Sequence, residues 1–102
     1  MVTYLAKLLN FETLIGKQVI EMGGYILGEV KGASIDETTW RVAKLHVKLT
    51  DKAAEELGFK KRFRISKVNL PIEMVQAVGD VVSLSLSLKE LRESNEITEF
   101  KK

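Results

Sequence analysis

No cysteine occurs anywhere in the chain, which excludes disulfide staples and thiolate metal sites together. Its absence suits a reducing compartment. Proline occurs once, at Pro71, and histidine once, at His46. Aromatic residues make up only 7% and include a single tryptophan, Trp40. No apolar run approaches the length of a membrane span, and residues 1–9 lack the basic start and small-residue cleavage site of a signal peptide. These features predict a cytoplasmic protein with no membrane insertion. Also missing are a glycine-rich phosphate loop, paired catalytic carboxylates and any nucleophile–base signature. The expectation is a protein that is not an enzyme, with no cofactor and no metal.

What remains is ordinary in amount and informative in arrangement. A chain of 102 residues with 45% hydrophobic and 29% charged residues can bury one core without staples, which predicts a single domain over 1–102. The net charge of +2 hides an asymmetry: residues 41–67 carry a net +6, and each flank carries −2. A basic middle attracts acidic partners or phosphate backbones, although a solvated face is the more common explanation of such a run.

The periodicity is mostly that of strands. Ala43, Leu45, Val47 and Leu49 alternate with Lys44, His46 and Lys48, the period of two of a half-buried strand. Strands are also predicted over 17–21, 25–36, 62–70 and 81–87. Gly23 and Gly24 supply a tight turn, 36–39 a second, and Gly28 and Gly32 mark bulges or bends in the long strand. Thr50 or Asp51 caps a short helix stopped by Gly58. Pro71 ends a strand and opens one helical turn. A first helix is expected over 1–9. The pair Ser87 and Glu90 reads as a capping box, so a terminal helix is expected from Leu88, over 88–98. The predicted core is Val19, Ile26, Val30, Ile35, Leu45, Val47, Phe63, Ile65, Val68, Val78, Val82, Leu84 and Leu86.

These segments carry a resemblance. The stretches 14–20, 24–30 with Gly24 and Gly28, Ile35-Asp36 and Arg41-Val42 resemble the first half of a PRC-barrel domain. Residues 70–75 around Pro71 and 78–82 around Gly79-Asp80 are similar to its second half. The resemblance spans about 13–87, and it rests on the order of weak motifs. It implies an all-β fold, a small six-stranded barrel without catalytic residues, used as a docking surface and often dimeric. Small free-standing archaeal members include cell-division factors that bind SepF, the membrane anchor of the division ring. Two positions depart from the pattern. Trp40 stands where the family commonly has a turn glycine, and Lys31-Gly32 stands where an acidic residue often follows the second strand's valine. A tryptophan tolerates positive φ poorly, which predicts a turn of different shape.

Two function classes follow. One is a protein-binding adaptor, with a SepF-like protein as the partner the resemblance suggests. The other is an RNA-linked role in ribosome maturation or RNA processing through 41–67, against which stands the shortage of interleaved aromatics. Lys44, His46, Lys48, Arg62 and Arg64 are expected to share one cationic face, with Lys44 and Lys48 opposing imidazolium formation at His46. Tyr25 and Trp40 are expected as exposed aromatic anchors. The alternative for Trp40 is a plug over the barrel mouth. Asp80 is expected to bond local amides, and Glu73 to sit at a helix N-terminus. Finally, the perfectly alternating, uncharged run 82–88 looks like an unguarded edge. It predicts a homodimer joined through Ser83, Ser85 and Ser87, with the apolar residues Leu5, Leu8 and Leu9 added.

Overall fold

A computed structural model describes residues 10–59 and 67–100. The chain runs through a one-turn helix α1 (Phe11–Leu14), β1 (Gln18–Ile20), β2 (Ile26–Asp36), β3 (Arg41–Leu49), α2 (Asp51–Leu57) and β4 (Lys67–Pro71). A 3-10 turn (Ile72–Met74), β5 (Val75–Val78), β6 (Val82–Leu84), α3 (Leu88–Glu93) and β7 (Thr98–Glu99) follow. The fold is largely β. All seven strands belong to one mixed sheet in the order β5-β6-β1-β2-β3-β4-β7. The β1–β6 pair is parallel and the others are antiparallel. Among the described residues no ladder joins β5 to β7, so the sheet is open where a six-stranded closed barrel was expected.

Local signals placed α2 and the start of α3, whereas the one-turn helix α1 was not expected. Thr50 caps α2 by accepting the Ala53 amide at 3.0 Å, and Gly58 ends it with φ +81°. The capping box at α3 is present, with both reciprocal bonds between Ser87 and Glu90. α3 stops at Glu93, however, and the chain returns as β7 beside β4, so the terminal helix is shorter than the expected 88–98. A strand that short has no periodicity to read. Its existence depends on the open edge of β4. The expected helix over 1–9 lies outside the described residues.

The core fills one face of the sheet, with Val19, Leu27, Val30, Leu45, Val47, Val68, Val82 and Leu84 essentially sealed from solvent. Ala53, Ala54 and Leu57 of α2 and Leu91 of α3 pack over it. Three expected core residues are exposed instead: Ile26 (45%), Ile35 (49%) and Val78. Irregular pairing explains Ile26. The register between β1 and β2 shifts at Val19/Ile20, and Leu27 takes the inward position. Ile35 lies past the last β1 partner, and Val78 lies on the edge strand β5. Leu86 is half-buried against the core, and Phe63 and Ile65 lie outside the described residues.

Candidate functional site

Two surfaces concentrate the residues singled out by the sequence. The first is the tip of the β2–β3 hairpin. The Asp36 carboxylate accepts the Thr38 amide at 2.8 Å and, more weakly, the Thr39 amide, and the Asp36 carbonyl accepts the Trp40 amide. These bonds wind the chain through 37–40 and deliver Trp40 in left-handed backbone with φ +59°, the one non-glycine residue with positive φ among the described residues. The turn therefore adopts the conformation a glycine would favour, and the tryptophan carries its steric cost. Its side chain covers nothing, since Trp40 is 78% exposed, so the plug alternative fails.

Tyr25 is different. It is half-buried against the core, and its hydroxyl is buried with no hydrogen-bond partner among the described residues. Expected as an exposed anchor, it is held in place by the turn behind it. The Tyr25 amide donates to the Glu21 carboxylate at 2.9 Å, and the other carboxylate oxygen of Glu21 accepts the Leu88 amide at the start of α3. Glu21 is the one buried charged residue among those described, and accepting two amides is what makes its burial tolerable. Tyr25 and Trp40 sit at opposite ends of the eleven-residue β2, on the order of 30 Å apart along the strand. They do not form one patch.

The second surface is the face of the sheet turned away from the core. Lys44, His46 and Lys48 do share it, as the alternation of β3 requires. The structure adds residues that no local pattern announces. His46 pairs with Asn69 of β4 and lies near Gly32 of β2. Its ring approaches Phe100 with centroids 4.2 Å apart, and the Lys67 ammonium sits 5.1 Å from the Phe100 centroid. The His46 pKa is lowered from 6.5, chiefly by burial and next by the Lys67 charge. The opposing cation is thus Lys67, supplied by the neighbouring strand, rather than the Lys44 and Lys48 expected from sequence. Lys67 also pairs directly with Lys48, an arrangement of like charges that raises the positive potential of this face. Arg62 and Arg64 lie outside the described residues.

His46 Nε2 also lies 2.8 Å from the Ser34 hydroxyl, a hydroxyl–imidazole pair that the sequence hides across twelve positions. Nucleophilic chemistry needs such a base to be oriented by a third group. Among the described residues no acid hydrogen-bonds the imidazole, and Phe100 stacks on it. The contact bonds β2 to β3. Nor do the described residues hold any group of three or more His, Asp or Glu positioned for a metal. A shallow cavity of about 390 Å³, lined by Gln18, Ile26, Glu29, Lys48 and Thr50 among others, opens on the same molecule. The Glu29 carboxylate beside it already engages Lys31 at 3.6 Å.

The serines expected at a dimer contact are used within the chain. Ser83 pairs with Ile20 on one side and Ala77 on the other, so β6 is interior and not an edge. The Ser85 amide and hydroxyl both donate to the Met74 carbonyl, and Ser87 caps α3. The open-edge argument for a homodimer therefore falls, because the chain itself covers both sides of the strand. Leu5, Leu8 and Leu9 lie outside the described residues. Asp80, expected to bond local amides, makes no such bond among the described residues; the adjacent Gly79 carbonyl accepts the Lys17 ammonium at 2.6 Å. Glu73 lies in the first turn of the 3-10 helix after Pro71, as expected, and is exposed there. Among the described residues no helix is long and apolar enough to cross a membrane. No protein-family model matches the chain, and no curated protein matches it.

Proposed function

We propose that this protein is a non-catalytic protein-binding adaptor whose anchor is Trp40. The observation that carries the reading is one large, exposed aromatic held in costly backbone at the end of a hairpin. A left-handed φ costs a bulky residue on the order of 1–3 kcal/mol, and such outliers cluster where function requires them. Tryptophan is also the residue that gains most from burial at an interface. The resemblance to PRC-barrel proteins supports the same reading, with a barrel as scaffold and a SepF-like protein as the class of partner. A homodimer belongs to this proposal only through the apolar spacing of Leu5, Leu8 and Leu9.

The test is capture of protein partners by the wild-type chain and by Trp40→Ala at matched thermal stability. Prey retained by the wild type and lost from the variant supports the reading, and prey recovered equally from both overturns it. A second reading is favoured by Lys44, Lys48 and Lys67 lying on one face with Phe100, an aromatic from outside the segment 41–67. Single-stranded RNA would then bind with a steep inverse dependence on salt. Micromolar, salt-sensitive binding lost in Lys44→Glu with Lys67→Glu would place the RNA role first.

A further inference from the structure

Resting on the adaptor reading, we infer that the outer edge of β2 beyond Val30 is a docking edge for an extended peptide segment that alternates apolar and acidic residues. Pairing between the β1 region and β2 ends at Val30, whose amide and carbonyl bond Lys17 and Gly16. Past that point β2 keeps only β3 as a neighbour, and on its other side the described residues offer no partner to the run 31–36. A row of free amides and carbonyls in extended backbone is matched by one kind of ligand, another extended strand. The run 32–36 is also continuous. The bulge in β2 falls at Lys31, before it, and the second register shift places its extra residue, Ala43, on β3.

The side chains around this edge define the guest. Outward, Gly32 and Ser34 are the residues next to the edge, and both are too small to screen what lies behind them. Lys44 stands directly opposite Ser34, and Lys31 flanks the start of the run. Adjacent strands lie about 4.8 Å apart, so a lysine on β3 reaches over Ser34 to the outward side chains of an added strand. Those side chains meet cations. Inward, Ala33 is small, while Ile35 is 49% exposed and pairs with the half-buried Val42. The inward side chains of the guest therefore meet apolar surface. Asp36 and Glu37 close the far end, with Arg41 directly opposite Asp36.

The sheet's terminal strands are its other edges: β7 is only two residues long, and β5 is shorter than β2 and is bulged between Val75 and Ala77, with Asp80 just beyond its end. Bulges and charge are how edges are normally kept unpaired. β2 is the better template.

A fluorescein-labelled eight-residue peptide of alternating valine and glutamate, titrated by anisotropy, tests the inference. Saturable binding is expected. It should weaken at least tenfold when alternate peptide amides are N-methylated, which removes ladder donors without touching either protein surface. It should weaken similarly when lysine replaces glutamate, and in the exposed variants Ile35→Lys and Lys44→Glu. Amide exchange should slow at 32–36 on binding. The inference is overturned by absence of binding, by equal affinity of the N-methylated peptide, or by protection appearing at 75–78 instead. It is also overturned if light scattering finds a dimer that Ile35→Lys dissociates, since a second copy would then occupy the edge. The adaptor reading is decided separately, by partner capture at Trp40, so either idea can fail without the other.

Discussion

The two halves of β2 are one continuous strand in two different environments. From Ile26 to Val30 the strand lies between β1 and β3, and Leu27 and Val30 are sealed at 1% and 0% exposure. From Lys31 to Asp36 it has a neighbour on one side only among the described residues, and its apolar residue Ile35 is half exposed. Both halves alternate in β fashion, and both contain a glycine, a valine or isoleucine, and an acid. The difference is the number of strands alongside. A strand flanked on both sides buries its inward residues; a two-stranded arm buries fewer, and among the described residues no further strand flanks this one. The buried half supplies stability, and the open half is the one proposed above to dock an added strand.

Substitutions along this one strand sharpen the contrast. Leu27→Ala should have the largest effect, a loss of about 2–5 kcal/mol from the lost burial and the cavity left behind, read as a lowered denaturant midpoint with unchanged m-value. Ile35→Ala should cost under about 0.5 kcal/mol, as for other surface changes. If the two variants unfold at similar midpoints, the division of β2 proposed here is wrong.

The glycines give the next test. A Cβ on Gly28 would overlap the Lys48 carbonyl oxygen and press on Leu49 Cα, both backbone atoms that cannot move alone. Gly28→Ala should cost about 3 kcal/mol, near the upper end for overpacking. A Cβ on Gly32 would meet only the His46 ring, at 3.0 Å from Nδ1, a side-chain contact that needs to give by only a few tenths of an ångström. Gly32→Ala should cost under about 1 kcal/mol, with thermal melts separating the two by well over 8 °C.

Smaller still is the strain at the hairpin tip. Trp40→Gly removes a left-handed penalty of about 1–2 kcal/mol but adds freedom to the unfolded chain worth roughly 0.4–1 kcal/mol. A net stabilisation of about 0.5 kcal/mol is expected, a rise of a few degrees in Tm. Trp40→Ala should not share it, because alanine keeps the Cβ. A fall in Tm for Trp40→Gly would mean that the ring contributes to the fold after all.

The least effect is the pH dependence of His46. Its folded pKa lies below the ordinary 6.5 because burial, then Lys67, disfavours the cation. The unfolded chain therefore takes up a proton first as pH falls. The stability contributed is complete above about 6.5 and is lost as pH drops from there through the folded value. His46→Gln should flatten that part of the stability curve, and an NMR titration of the imidazole should give a midpoint below 6.5. A midpoint above it would contradict the Lys67 contact and the cover provided by Phe100.

How much of this was legible beforehand follows the range of each interaction. The cap at Thr50, the stop at Gly58, the Ser87–Glu90 box and the turn after Pro71 depend on residues within four positions of one another, and the sequence by itself determined them. It also determined the alternation of β3, and with it the shared face of Lys44, His46 and Lys48. Glu21 illustrates the limit: an acid beside two glycines reads as a turn residue, yet its second amide comes from Leu88, 67 positions away. Phe100 stacks on His46 from the far end of the chain, and Lys67 was not visible as the cation that matters. Tertiary structure alone decided that Leu27 and not Ile26 faces inward, because a bulge moves the phase of a strand without changing its pattern. It alone decided that the serine strand is interior and that the open edge is the distal half of β2. An isolated strand has two identical edges, and only the placement of its neighbours determines which of them stays free.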